Sequence, residues 1–481
     1  TRAQVALYTV CIGGLAFLNT WDLPTYLFIV VGALLIRRIR ERGVFDLSDV
    51  GQPLLLGLLI LVLGLVAYLP WYISFSSQAG GILPNAVFAT RLHLFLVMFG
   101  PFVVIIAWFL VDEAIRNRAR MDWSDGLLLG AGVLAGLIGL MVALSVAALR
   151  LDPAVAGFLL TVTGFPTTGL SQEALQSQLP AAIGAVIRHR LTHPLTPLLL
   201  TGLIGLTLSR LLPRPTVDGE ESDRSPAFSA STGFALLLIL TGALLTLGPE
   251  FVYLRDVFGQ RMNTIFKFYY AAWVLFGVAA AYAAHRLARR PLFAPVLAAL
   301  VLAALVYPVI ATPTRMGEGG RLASEAGPTL DGLDYIRRQH PQDYQAIMWL
   351  RQVADPEAVI VEAVGGQYSY YARVSATTGL QTVLGWPGHE RQWRGDLYPA
   401  LAGSREEDVR EIYNTPSMPR ALELLERYGV TYLYVGPLER DPAYASPAGI
   451  EKFDRYLTAV YRNEGVTIYR VDLPLIEEQQ P

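Results

Sequence analysis

Nine stretches of this chain are apolar over lengths that water does not favour: about 3–18, 24–36, 51–72, 93–112, 126–148, 194–212, 228–248, 268–285 and 291–311. In hydrocarbon a backbone must satisfy its own hydrogen bonds, so apolar runs of roughly 20 residues become helices. The expected fold is a polytopic α-helical membrane protein with about nine transmembrane helices. The first two runs are short and meet at Asn19-Thr20-Trp21-Asp22-Leu23-Pro24, a junction that suits either a hairpin or a broken, tilted helix.

Charge divides the chain. Residues 1–311 hold 37 charged side chains (about 12%) and residues 312–481 hold 41 (about 24%), the second share matching the roughly 25% of soluble proteins. A transmembrane region, 1–311, is thus followed by a glycine-containing linker, 312–340, and a domain of ordinary composition, 341–481. In that last part helices are expected near 341–354, 405–413, 418–428 and 447–457. Strands are expected at AVIVEAV (358–364), VTYLYVG (430–436), AVYR and VTIYRV, and the interleaving argues a small α/β domain with a partly parallel sheet. A net charge of −2 with no basic domain excludes nucleic acid as a partner. A single cysteine, Cys11, excludes a disulfide-built module.

Arginine placement orients the membrane region. Alternate connections carry Arg37, Arg38, Arg40 and Arg42; Arg116, Arg118 and Arg120; Arg210, Arg214 and Arg224; and Arg286, Arg289 and Arg290. That face is assigned to the cytoplasm, which puts the C-terminal domain outside the cell membrane. Of the 16 acidic residues in 1–311, 11 fall in cytoplasmic connections and read as solvated loop charges, Glu220, Glu221 and Asp223 among them. The outer side keeps Asp22, Asp152, Glu173, Glu250 and Asp256. A carboxylate near hydrocarbon costs a few kcal/mol, so each needs a partner, water or a function.

Two outer clusters follow. Asp22, in NTWDLPTY, suits a general base or a metal ligand; taken alone it more readily suits a helix cap beside Pro24, with Trp21 and Tyr26 as interfacial aromatics. The segment GPEFVYLRDVFGQRMNTIFKFYY (248–270) brings Glu250, Arg255, Asp256, Arg261, Asn263 and Lys267 to the mouth of one helix. Three cations there suit a phosphate or pyrophosphate, while pairs such as Arg255–Asp256 and Glu250–Arg261 would instead dock the loop. Lys267 is one of only two lysines in a chain with 36 arginines, which singles it out.

Other segments carry weaker signals. SQEALQSQLPAAIGAVIRHRLTH reads as an amphipathic interfacial helix, and its His189–His193 pair lacks a third metal ligand. Residues 373–395 show no helical period and read as a long irregular loop. There Trp386 and Trp393 suit stacking on sugar faces, and His389, Glu390, Arg391 and Arg394 suit an acidic or phosphorylated group. The alternative is a loop that packs the outer domain onto the membrane region.

NTWDLPTY, YLRDVFGQRMNTIFKFYY and TGLQTVLGWPGHERQWRG together resemble the shared blocks of an uncharacterised prokaryotic membrane-protein family named for a Tyr-Tyr-Tyr motif, in order and across essentially the whole chain. That family is grouped with GT-C-type glycosyltransferases, which use polyprenyl-phosphate sugars at an extracytoplasmic site. The resemblance implies a lipid-linked sugar donor, membrane lipids as surroundings, and a divalent cation (Mg²⁺ or Mn²⁺) as a compatible cofactor. It assigns Asp22 or Glu250 as base, with Asn19, Trp21, Asp256 and Asn263 in support. Arg261, Lys267 and Arg255 would hold the donor phosphate, and the 386–394 segment would meet the acceptor. Family members carry further N-terminal helices, and this chain begins at Thr1; it is then a shortened version, or a second polypeptide supplies that part. The competing expectation is a non-catalytic scaffold subunit of an envelope or energy-converting complex. A transporter fits less well, because the spans show no inverted repeat.

Overall fold

The computed structural model describes residues 2–74, 80–151, 153–167, 171–214, 227–255, 260–318 and 329–472. Two compact units emerge, Thr1–Ile310 and Ala311–Pro481.

The first unit is built of helices α1 (Arg2–Leu18), α2 (Asp22–Arg42), α3 (Ser48–Ala67), α4 (Leu69–Ser74), α5 (Leu92–Arg116), α6 (Trp123–Leu151), α7 (Pro153–Val162), α8 (Gln172–Thr192), α9 (Leu195–Leu211), α10 (Ala230–Leu247), α11 (Met262–Leu287) and α12 (Phe293–Glu318). All nine apolar stretches are helical. Among the described residues six helices are long and apolar enough to cross a membrane, and α8 with α9, bent by 57°, make a seventh if they form one span. Two of the nine expected spans fall outside that count for visible reasons. Helix α1 has only 17 residues, and Arg37, Arg38 and Arg40 break the apolar continuity of α2.

Helix α10 lies at the centre, packed by α2, α9 and α11, and its faces are lined by Leu236, Leu237, Ile239 and Ala243. Close approach elsewhere depends on small residues, the usual contact in a membrane, where burial of apolar surface gives no drive. A Cβ on Gly13 of α1 would lie 2.8 Å from Gly64 Cα of α3, and one on Gly126 of α6 would lie 2.2 Å from Ser209 Oγ of α9. A two-stranded antiparallel ribbon joins β1 (Ile82–Pro84) to β2 (Val252–Leu254), tying the segment before α5 to the one before α11.

The cytoplasm-assigned acids are not all solvated. Asp49 and Glu113 are 1% and 3% exposed. Glu113 receives Arg210 Nε at 3.0 Å and Arg286 Nη2 at 3.6 Å, Asp49 meets Arg42 at 3.0 Å, and Asp112 meets Arg116 and Arg290. For Asp49 and Glu113, arginines brought from other helices make burial tolerable, as an unpaired charge would not be.

The second unit contains α13 (Asp334–Gln339), α14 (Pro341–Val353), β3 (Val359–Val361), α15 (Arg373–Thr378), β4 (Gln381–Thr382), α16 (Pro387–Arg394), α17 (Tyr398–Ala402), α18 (Arg405–Asn414), α19 (Met418–Arg427), β5 (Val430–Val435), α20 (Pro447–Tyr456), β6 (Thr458–Arg462) and β7 (Thr467–Arg470). The sheet order is β4-β3-β5-β7-β6, parallel from β4 to β5 and antiparallel through β7 and β6. Strand residues alternate between two cores, Val361, Leu433 and Val435 facing one and Ile360, Tyr432 and Tyr434 the other, as the period of two requires. The 373–395 stretch departs from the irregular loop expected. It holds two short helices and an edge strand, because the Glu362 carboxylate accepts from the Val374 and Ser375 amides at the start of α15 and Pro387 opens α16. Helices of 6 and 8 residues are too short to show a period in sequence.

Beneath the carboxyl ends of β3 and β5, Arg373 meets Glu439 at 2.9 Å and Asp343 at 3.3 Å, with Glu362 at 3.9 Å, all buried. Tyr434 and Tyr370 hydroxyls donate to Asp343. Burial pushes the Glu362 carboxyl above its usual range, against the opposing pull of Arg373.

Candidate functional site

Helix α1 ends at a tight junction in which Asn19 N donates to Leu15 O, Thr20 Oγ1 to Ala16 O and Asp22 N to Asn19 O. Asp22 therefore opens α2 in its first turn, where the helix dipole favours a carboxylate. It is not the cap residue of that helix; Trp21 is. Asn19 Nδ2 donates to Asp22 Oδ2 at 3.0 Å, and Lys267 Nζ donates to Asn19 Oδ1 at 3.4 Å. Lys267 also sits 5.1 Å from the Trp21 ring centre, and Trp21 meets Phe268 edge-on. One side-chain amide thus links a carboxylate and an ammonium, Asn19 and Lys267 being 248 residues apart in sequence. Asn19, Trp21, Asp22 and Lys267 are all half-buried. Asn263, also half-buried, lies one turn before Lys267 on α11.

A second cluster is more enclosed. Glu250 has no exposed surface. Its carboxylate accepts from Arg261 Nη1 at 2.8 Å, from Thr90 N at 3.0 Å and from Thr90 Oγ1, with Arg190 Nη1 at 3.9 Å. Arg190 is held in turn by the carbonyls of Asn85 and Ala86, and Asn85 Nδ2 donates to Pro249 O at 2.7 Å. This is the geometry of an ion pair that docks the loop. A base role for Glu250 would need Thr90 and Arg261 to release it. Arg261 has little spare reach, since it also touches Pro249 O and Thr90 Oγ1.

The remaining expected residues fall elsewhere. Arg255 is exposed and its main chain pairs with Gly80 and Gly81. Asp152 and Asp256 lie outside the described residues. His189 and His193 rings are 4.6 Å apart, and His193 Nδ1 lies 2.9 Å from His189 O, a local structural pair. Among the described residues of the first unit, two of the cavities have about 290 Å³ each. One is rimmed by Arg91, His93 and His193; the other, almost wholly apolar, lies among Asn85, Phe88, Ser145, Phe158 and Tyr253. Neither is lined by Asp22, Lys267, Glu250 or Arg261. Among the described residues no group of three His, Cys, Asp or Glu converges. Asp22, with an ammonium as its neighbour, does not fit Mg²⁺ or Mn²⁺, which prefer several oxygen ligands.

In the second unit Trp386, His389, Glu390, Arg391, Trp393 and Arg394 share α16 or its cap. Trp386 Nε1 donates to Tyr371 O at 2.7 Å, Trp393 Nε1 to His389 Nε2 at 2.9 Å, Glu390 pairs with Arg394 at 2.5 Å, and Arg391 stacks on Tyr398 at 5.1 Å.

Thr90, Asn85 and Arg190 belong to the Glu250 cluster without having been expected there. Two are neutral, and all act across sequence separations of about 60 to 165 residues, for which no local spacing gives a signal. Residues 1–276 match the family described as uncharacterized membrane protein (DUF2298). The match covers more than half of the chain, and the chain belongs to that family. No curated protein matches it.

Proposed function

We propose that this member of an uncharacterized membrane protein family is a GT-C-like glycosyltransferase of the cell membrane, moving a sugar from a polyprenyl-phosphate donor to an acceptor outside the cytoplasm. The observation that carries the reading is the Asp22–Asn19–Lys267 bridge. Asp22 accepts the proton of an acceptor hydroxyl as that oxygen bonds to the anomeric carbon. The bond from this carbon to the phosphate oxygen breaks, and its electron pair leaves on the phosphate. Lys267 stabilises the developing charge. Arg261, which caps α11 six residues before Lys267 and so lies about 9 Å of helix rise away, adds to the local positive potential, since Arg190 and Arg261 together outweigh Glu250. Location of the second unit outside the cell rests on the arginine bias of alternate connections.

The test is transfer of radiolabelled mannose or glucose from polyprenyl phosphate by membranes carrying the chain. Asp22→Asn is expected to lower the rate by about 10² or more, as loss of a positioned base does, and Lys267→Gln to weaken donor use. Transfer at the parental rate in Asp22→Asn refutes the base assignment.

A second reading, a non-catalytic scaffold subunit of a larger complex, is favoured by one observation: the Glu250 and Arg261 charges are paired off in a buried knot. It expects no transfer from either donor and a partner that copurifies with the chain from membranes.

A further inference from the structure

In an open α/β sheet, ligands bind beyond the carboxyl ends of parallel strands, where successive connections leave in opposite directions. The second unit has such a point. From β3 the chain passes through α15 to β4 on one side, and from β4 through α16–α19 to β5 on the other side of β3. The floor of this edge is filled by the Arg373 cluster. Above it stand the segments following β3 and β4, which carry Tyr368, Trp386, His389 and Trp393.

These rings are stapled together and left open. Tyr368 lies 5.6 Å from Trp386 and 5.7 Å from His389, and His389 lies 6.0 Å from Trp393. His389 Nε2 accepts from Trp393, so its proton is on Nδ1, which faces the Tyr368 hydroxyl at 3.3 Å. Gly388 permits the two segments to touch, since a Cβ there would lie 2.2 Å from Gln367 Oε1. Yet Tyr368 and Trp393 are 72% and 65% exposed, and α16 buries none of its residues. Tyr368 also adopts φ +56°, a left-handed conformation costing a non-glycine residue about 1 kcal/mol or more. Strain held at an exposed aromatic residue points to a ligand.

The local charges select the ligand. Glu390 pairs with Arg394, Arg391 is stacked on Tyr398, and the formal charges of Glu390, Arg391, Arg394 and Asp396 sum to zero. A neutral patch of flat rings edged by hydrogen-bonding groups suits a molecule with one face of C–H bonds and a rim of hydroxyls. We propose that Tyr368, Trp386, His389 and Trp393 form a binding platform for a neutral pyranose oligosaccharide. The platform acts by binding alone, so the inference does not depend on sugar transfer by the first unit.

The test uses the full chain in nanodiscs and saturation-transfer NMR with cellohexaose, chitohexaose, maltohexaose and mannohexaose. At least one probe is expected to bind, and Trp393→Ala to weaken it roughly tenfold. Tyr368→Gly removes the ring while relieving the left-handed strain, so it is expected to lose affinity without losing stability, which a merely structural tyrosine would not do. Three results overturn the proposal: no probe binds at roughly 10 mM; affinity survives both substitutions; or brominated lipid chains quench the Trp393 fluorescence, which makes the patch a bilayer contact.

Discussion

Replacing Glu250 by glutamine separates the two roles that a scarce carboxylate can have. The substitution keeps the shape and removes one charge. Arg261, 2.8 Å away, and Arg190, 3.9 Å away, are left facing each other across an uncharged amide. Thr90 N and Arg261 both donate to the present carboxylate, so one of them meets an amide NH₂ instead of an acceptor. Breaking a buried pair in this way costs 3–5 kcal/mol. The arginine side chains are 15% and 16% exposed, so water relieves part of this and the lower end, about 3 kcal/mol, is expected. Thermal unfolding in detergent, followed by tryptophan fluorescence, should show Tm falling by roughly 5 °C or more. The double variant with Arg261→Met should lose less than the sum of the singles, with coupling of about 2 kcal/mol. A Glu250→Gln protein with unchanged Tm refutes the structural assignment, and unchanged Tm with abolished transfer makes Glu250 the base.

Two further outcomes follow from packing and burial. Gly126→Ala places a methyl group 2.2–2.4 Å from Ser209 and should separate α6 from α9, lowering Tm, whereas Gly132→Ala on the same helix meets nothing within 4 Å and should be neutral or slightly stabilising. Burial pushes the Lys452 ammonium down from 10.5 to about 8, although Ile412 and Gly449 carbonyls accept from it. Between those two pH values the unfolded chain binds more protons than the folded one, so stability rises with pH across the window, by about 3 kcal/mol in all. Lys452→Met should therefore exceed the parent in stability at pH 7 and lose that advantage by pH 10.5, as read from hydrogen-exchange protection of β5; a difference constant with pH refutes this.

The helices were legible because hydrocarbon leaves a backbone few choices, and each of the nine apolar stretches is helical. Their division into spans was less so, since the 57° break between α8 and α9 depends on how the two pack. Strands β3, β5, β6 and β7 announced themselves by short apolar, β-rich runs. Helices α15 and α16 did not, because what starts α15 is a carboxylate from Glu362, 12 residues before Val374.

The candidate site divides along the same line. Scarcity of charge near hydrocarbon is a one-dimensional property, and it put Asp22 and Glu250 on a short list of five outer acids, with Arg261 and Lys267 close to Glu250 in sequence. Whether a scarce charge is occupied is decided by partners that arrive from other helices: Thr90 reaches Glu250 across 160 residues and Arg210 reaches Glu113 across 97. Glu250 and Asp22 were equal on cost alone. They differ because both Glu250 oxygens are filled inside the fold, whereas Asp22 is half-exposed and linked to Lys267 through one amide. A group that must exchange a proton with a substrate has to keep a face open to it, and that requirement places the proposed chemistry at the junction of α1 and α2 and not at the buried knot eleven residues before Arg261.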